Sequence, residues 1–111
     1  MCRALKVLCV ASDAERLAAL KRAVVSADWE LTAGAIGGDA GLAQLEAEHP
    51  HILVAFGDLE AFVREARHRF PFLRIVTDRE VPGASAVAVS PEDVRAAVKG
   101  LPGPGGPVRS P

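Results

Sequence analysis

The sequence predicts a three-layer α/β domain built around a parallel β-sheet. Four short apolar runs, each ending at a polar or turn-forming residue, alternate with segments of helical character. That alternation is typical of strands joined by crossover helices, whose functional edge lies where the strands end. The chain has 111 residues, half of them hydrophobic and few of them aromatic. We therefore expect one domain with a mainly aliphatic core.

Five strands are expected. The first, Leu5–Val10, is apolar on both faces, as central parallel strands are. Trp29–Ala35 alternates in polarity, which is typical of an outer strand. The remaining strands are the apolar runs Ile52–Phe56, Arg74–Thr77 and Ala84–Val89.

Four helices are expected between and after these strands. The first begins at Ala14 behind Ser12 or Asp13 as its cap, runs to about Ser26, and leaves Arg16 on its solvent side. The others open in the glycine-rich turn 37–41 and end near His49, span Leu59–Arg69, and span Pro91–Gly100 behind the cap Ser90. Their predicted apolar positions are Leu17, Leu20, Val24 and Val25 in the first helix, Leu42, Leu45 and Ala47 in the second, Phe62, Val63 and Ala66 in the third, and Val94, Ala97 and Val98 in the last.

Composition narrows the function classes. A net charge of -1 gives no support for a nucleic acid or an anionic membrane as partner. No apolar stretch approaches the roughly 18 residues that span a bilayer, and no signal peptide is seen, so we expect a cytoplasmic protein.

Cys2 and Cys9 do not form a disulfide framework, and Cys9 is expected to be buried. The domain should cover 1–101, followed by a disordered Pro/Gly-rich tail, 102–111, that contributes little stability.

Several motifs, in order, resemble the receiver domain of CheY-like response regulators in two-component signalling. Lys6–Glu15 is similar to the family's strand with a following acidic cluster, and Gly38–Leu42 to its Gly-x-x-Ala-Leu helix opening. Pro50–Phe56, Ile75–Thr77 and Gly83–Pro91 resemble the three later strands with their flanking residues. The resemblance covers roughly residues 5 to 100. It implies a flavodoxin-like, doubly wound sheet of five parallel strands in the order 2-1-3-4-5.

The residues of the family's phosphoryl chemistry are mostly replaced. That chemistry uses an Asp nucleophile, two further carboxylates for Mg²⁺, a Thr or Ser, and a Lys. Carried over by position, the acid pair becomes Ala11 and Ser12, the nucleophile becomes Phe56, and the Lys becomes Ser90. Only Thr77 is retained. The chain is therefore expected to be a degenerate pseudo-receiver that is not an enzyme and uses no metal or cofactor.

Two other carboxylates, Asp13 and Asp58, follow the first and third predicted strands. A two-residue offset would bring Asp58 toward the pocket as a phosphoacceptor, although Phe56 would still fill that pocket. The degenerate receiver pocket is thus predicted to comprise Ala11, Ser12, Asp13, Phe56, Asp58, Thr77 and Ser90.

One helix of the family is missing. Only the six residues 78–83 separate Thr77 from Ala84, whereas a parallel crossover usually takes a dozen or more. An extended parallel return and an antiparallel turn are both open at this point. Either leaves part of the sheet uncovered, which marks an interaction surface. We expect a weak homodimer around the last two strands and the last helix, with Val87, Val89 and Arg95 on its surface.

Three functions follow. The first is a regulatory module that binds a protein partner or itself, and the second is a small-molecule regulator that uses the emptied pocket. An active phosphoacceptor at Asp58 ranks last. The three scattered histidines do not predict a metal site. The basic end of the third helix, Arg64–Arg69, predicts a solvated face or, alternatively, a contact for an acidic partner.

Overall fold

The computed structural model describes residues 5–25, 29–32, 34–81 and 84–100. The predicted tail 102–111 and Cys2 lie outside these described residues. Within them, the strands are β1 (Leu5–Ala11), β2 (Trp29–Leu31), β3 (Ala35–Ile36), β4 (Ile52–Phe56), β5 (Arg74–Thr77) and β6 (Ala86–Val87). The helices in the same ranges are α1 (Ala14–Val24), α2 (Gly38–Glu48), α3 (Glu60–Arg69) and α4 (Pro91–Gly100).

The strands form one parallel sheet in the order β2-β1-β4-β5-β6, with β3 also paired to β1. Because β4 takes one edge of β1, β2 and β3 share the other edge and together act as one outer strand. The predicted 2-1-3-4-5 order is confirmed. The pairing of Thr77 with Val87 is parallel, which decides between the two directions that the sequence left open for the last strand.

The outer strand is divided where the sequence predicted one continuous strand, Trp29–Ala35. Between its two pairings β1 advances three residues while the outer strand advances four, which is the offset of a β-bulge. Gly34 lies in the break with φ of +87°, and a Cβ at this position would lie 3.1 Å from the carbonyl oxygen of Cys9. Glycine tolerates both the positive φ and the close approach because it has no Cβ. The outer strand is therefore divided at Gly34.

Two apolar clusters pack on opposite faces of the sheet. Along β1, Val7 and Cys9 belong to one cluster while Leu8 and Val10 belong to the other, as strand alternation requires. The first cluster is completed by α1 and α4 and is called the α1/α4 core. The second is completed by α2 and α3 and is called the α2/α3 core. Most of the predicted apolar helix positions are buried: Leu20, Val24, Leu45, Phe62, Val63, Ala66, Val94 and Val98. Leu17, Leu42 and Ala97 are partly buried, whereas Val25 and Ala47, near the ends of α1 and α2, are exposed.

The helix ends follow local chemistry. Of the two predicted caps of α1, Asp13 fills the position, since its Oδ1 accepts the backbone N–H of Arg16 at 2.7 Å. α2 ends at Glu48, where His49 adopts a left-handed conformation (φ 49°) before Pro50. None of the described helices is long and apolar enough to cross a membrane.

The connection from β5 to β6 spans eight residues, 78–85, and those that the structure describes are not helical. Val81 in this connection packs against the α2/α3 core, and Ile75 of β5 is fully buried. Part of the sheet face expected to be open is therefore covered. The remaining apolar exposure here is at Val87 and Val89, which are 41% and 78% exposed.

Candidate functional site

The carboxyl ends of the three central strands meet at one edge of the sheet. Ala11, Phe56 and Thr77 are the last residues of β1, β4 and β5. Ala11 pairs with Phe56, and the residue before Phe56 pairs with Thr77. The structure thus brings together three of the predicted pocket positions. All three side chains are buried.

Phe56 does not face this edge as a reactive group. Its side chain is 3% exposed and belongs to the α1/α4 core, together with Cys9 and Val54. A benzyl group has neither a nucleophilic oxygen nor a metal ligand. At this position the chain supplies packing to the core.

The backbone directly after Phe56 lies against the side chains of Ser12, which follows β1, and of Arg16 in α1. Gly57 has φ of +108°, and a Cβ added there would lie 2.5 Å from Oγ of Ser12 and 3.2 Å from Nη1 of Arg16. Nη1 of Arg16 also donates to Oγ of Ser12 at 2.9 Å. Arg16 was predicted only as a solvent-facing helix residue. Its spacing of four residues from Ser12 was the available signal for this contact.

Asp78 ties the end of β5 to the end of β4. Its Oδ2 accepts the backbone N–H of Gly57 at 3.1 Å, and its Oδ1 accepts Nε of Arg79 at 3.2 Å. The hydrogen bond to Asp78, followed by the charge of that carboxylate, raises the pKa of Arg79, and the charge of Asp58 adds a smaller contribution. The sequence analysis did not single out Asp78, although a carboxylate directly after a buried parallel strand lies at the functional edge.

The other predicted pocket residues have local partners. Asp13 caps α1, and the side chain of Asp58 is exposed. The hydroxyl of Thr77 donates to the backbone carbonyl of Arg79. Ser90 donates from Oγ to Oδ2 of Asp93 at 3.2 Å in the first turn of α4.

Histidine and carboxylate groups do not assemble into a metal site in the described ranges, where no group of three or more His, Cys, Asp or Glu could hold an ion. His51 has a structural contact instead. Its Nδ1 accepts the backbone N–H of Lys6 at 3.0 Å.

The basic end of α3 is largely engaged within the molecule. Arg64 pairs with Glu60 at 3.2 Å, and Arg69 pairs with Glu65 at 2.7 Å. Nη1 of Arg67 donates to two backbone carbonyls in the following turn. These contacts favour the solvated face over a contact for an acidic partner.

Comparison with known proteins places this fold. The structure is similar to the chemotaxis response regulator CheY4 of Vibrio cholerae (TM-score 0.70, 18% identity), covering 87% of this chain and 98% of that chain. It is also similar to a CheY-like receiver domain protein from Methanospirillum hungatei (TM-score 0.69, 21% identity; 87% and 92% covered). A third similar structure is the isolated REC domain of RcsB from Salmonella enterica, solved with a phosphomimetic (TM-score 0.68, 17% identity; 87% of each covered).

No family model matches this chain, and no curated protein matches its sequence. The structural similarities extend over nearly the whole length of each receiver domain compared. This chain therefore has the fold of a response-regulator receiver domain, as the sequence resemblance implied.

Proposed function

We propose that this protein is a non-catalytic signalling module of the receiver type, located in the cytoplasm, that acts through protein–protein interaction without phosphorylation. The observation that carries the proposal is the burial of Phe56 in the α1/α4 core at the end of β4. No oxygen nucleophile is available from this side chain, so the acceptor step of receiver chemistry has no group to perform it.

The polar groups around Phe56 support the same conclusion. The Ser12 hydroxyl accepts a hydrogen bond from Arg16, and the Gly57 N–H donates one to Asp78. Mg²⁺ takes oxygen ligands in near-octahedral geometry and is usually held by one or two carboxylates. Here Asp78 binds a backbone N–H and a guanidinium, and Arg16 brings positive charge to the same edge.

A small-molecule ligand is the second candidate, and the internal bonds disfavour it. Such a ligand would have to displace the contacts of Ser12 with Arg16 and of Thr77 with the Arg79 carbonyl. A thermal-shift screen across a metabolite panel distinguishes the two functions. We expect no compound to raise the melting temperature, whereas a stabilising compound whose effect is lost in Thr77→Val would favour the ligand-binding function.

The interaction surface that we propose is the β6/α4 surface, defined by Val87, Val89 and Arg95. All three side chains are exposed. Val87 also lines a groove of about 460 Å³, together with residues 80–81 and 84–86. The partner is another protein or a second copy of this chain.

Nuclear magnetic resonance tests the phosphorylation-independent part of the proposal. Beryllofluoride with Mg²⁺ mimics a phosphoryl group on an Asp acceptor. Added to the ¹⁵N-labelled protein, it should move no amide resonance beyond the changes caused by Mg²⁺ alone. A cluster of additional shifts at residues 56–58 and 77–79 would overturn this part.

Sedimentation of an Arg95→Glu variant tests the β6/α4 surface as a self-contact. Arg22→Glu makes the same charge change on an exposed residue of α1 and serves as the matched control. If copies meet through the β6/α4 surface, only Arg95→Glu should weaken the dimer, by at least about tenfold in Kd. Equal behaviour of both variants would leave a different protein as the partner of this surface.

A further inference from the structure

The hydrogen-bond ladder between β4 and β5 ends in a rung that is made by a side chain. Ala55 and Thr77 are the last backbone pair of the two strands. Beyond this pair, the backbone N–H of Gly57 donates to Oδ2 of Asp78 at 3.1 Å. A carboxylate therefore accepts the hydrogen bond where β4 ends and where residues 57–59, called the β4–α3 turn, begin.

The β4–α3 turn has little structure of its own. The N–H of Leu59 donates to the carbonyl of Gly57 at 2.9 Å, and α3 begins behind Leu59 without a hydrogen bond from a capping side chain. Gly57 has φ of +108°, a region that glycine reaches about as readily as negative φ. Contacts from outside the turn therefore decide which conformation it adopts.

The Asp78 carboxylate is itself held in position. Arg79 donates to both of its oxygens, from Nε to Oδ1 at 3.2 Å and from Nη2 to Oδ2 at 3.4 Å. The carbonyl of Arg79 in turn accepts the hydroxyl of Thr77 at the end of β5. Only 16% of the Asp78 side chain is exposed, so its hydrogen bond to Gly57 is charge-assisted and partly shielded from solvent.

Ser12 and Arg16 restrict Gly57 as well. A Cβ on Gly57 would lie 2.8 Å from Cβ of Ser12 and 3.2 Å from Nη1 of Arg16, and Gly57 is buried although both of these side chains are exposed. A turn that moved away from Asp78 would give up a hydrogen bond to a charged group, which costs more than the loss of a neutral one.

We propose that Asp78 locks the β4–α3 turn in one conformation, so that the carboxyl end of the sheet does not switch and the module signals constitutively. The lock stands on contacts within the chain, whereas the constitutive signalling rests on the proposed function. A conformational switch needs a second arrangement that lies within a few kcal/mol of the first. Control of the signal then acts on the amount of the protein or on access to its partner, and not on its conformation.

Hydrogen exchange of the Gly57 amide tests the lock in the full chain. In Asp78→Ala this amide should exchange at least about tenfold faster than in the wild type, after both rates are corrected for global stability with the amide of Leu53 in β4. Asp58→Ala removes a carboxylate from an exposed position of the same turn and serves as the matched control. It should leave the Gly57 rate unchanged. Equal acceleration by the two variants, or no acceleration by Asp78→Ala, would overturn the lock.

Asp78→Asn guards against a loss of the fold, because it keeps the shape of the side chain and one oxygen acceptor while it removes the charge. The Gly57 amide should again exchange faster, by less than in Asp78→Ala. A rate equal to that of the wild type would mean that the charge of Asp78 does not hold the turn, and would contradict the proposal.

Relaxation dispersion of ¹⁵N nuclei, recorded without a phosphodonor, separates the lock from the proposed function. The wild type should show no microsecond-to-millisecond exchange at residues 57–59 and 78–79, and Asp78→Asn should show it. Such exchange in the wild type would overturn the lock and leave the absence of phosphorylation untouched. A phosphoryl group on a protein whose turn shows no exchange would overturn the proposed function and, with it, the constitutive signalling.

Discussion

The two ends of the sheet differ in how their exposed groups are used. At the carboxyl end, where receivers carry out phosphoryl transfer, the polar groups of Ser12, Gly57 and Asp78 are bonded to one another or to arginines. At the amino end, an apolar pocket remains open and Phe72 projects beside it. The groups at the end expected to be reactive are engaged within the chain, whereas the opposite end keeps an accessible apolar pocket.

The difference shows that the two ends of one sheet can differ in how far their groups are engaged within the chain. At the carboxyl end, side chains supply internal contacts where receiver chemistry would use carboxylates and a Lys. Phe56 adds apolar packing, and Arg16 brings a guanidinium over Gly57. These contacts accompany an unbroken parallel strand order with an apolar core on each face of the sheet.

Truncating a phenylalanine at each end gives the largest contrast. Phe56→Ala should lower the free energy of unfolding by about 3–5 kcal/mol, because it opens a cavity in the α1/α4 core. Phe72→Ala, the same substitution at an exposed site, should change it by no more than about 0.5 kcal/mol in dilute solution. Chemical denaturation followed by circular dichroism measures both. Similar costs would mean that Phe56 is not a core residue or that Phe72 packs within its own chain.

Two glycine substitutions test whether the Ser12 and Arg16 side chains pack tightly against the backbone at the carboxyl end of the sheet. Gly37 and Gly57 both have positive φ, but a Cβ on Gly37 meets nothing within 4 Å. Gly37→Ala should cost about 1–2 kcal/mol of stability from backbone strain. Gly57→Ala should cost at least about 1 kcal/mol more, because Ser12 and Arg16 must move. Urea denaturation measures the loss of unfolding free energy in each variant. Equal losses would mean that the Ser12 and Arg16 side chains move aside at no cost.

The ionisation and reactivity of the Cys9 thiol test whether water and reagents reach the core near the carboxyl end of the sheet. Burial raises the pKa of this thiol to about 12, and the charge of Lys21 offsets a smaller part of the shift. The unfolded thiol ionises near its ordinary value of 9.0, so the folded state loses stability as pH rises from about 9 toward 12. The loss approaches about 1.4 kcal/mol per pH unit.

The comparison for Cys9 uses Cys2→Ser as the background and the Cys2→Ser, Cys9→Ala variant as the control. Only the background protein should show the additional alkaline loss, measured as the difference between the two denaturation curves. A Cys9 thiol that reacts with Ellman's reagent at pH 8 as fast as it does in urea would show an open carboxyl end.

The sequence predicted the elements that local pattern determines. The apolar runs and the periodic positions Phe62, Val63 and Ala66 specified the strands and the buried face of α3. The division of the outer strand was missed because it depends on the backbone angle at Gly34. The contacts of Arg16 and Asp78 were missed because they depend on which loops the sheet brings together.

The amino-end pocket was also beyond the sequence. The stretch Phe70–Phe72 indicated only the end of a helix, because a proline follows the first phenylalanine. These residues line a pocket only because the ends of α2 and α3 lie side by side, joined by the ion pair of Arg69 and Glu46. The order of the elements along the chain does not show that these two helix ends lie close in space.

The most direct test of the central claim is incubation of the wild-type protein with acetyl phosphate and Mg²⁺, followed by intact-mass and peptide mass spectrometry under conditions that preserve acyl phosphates. An active receiver treated in parallel shows that the reagent works. We predict that this protein acquires no phosphoryl group, since Phe56, which the sequence resemblance puts at the acceptor position, is buried and the neighbouring polar groups are hydrogen-bonded within the molecule. A phosphoryl group on Asp58 would contradict the account.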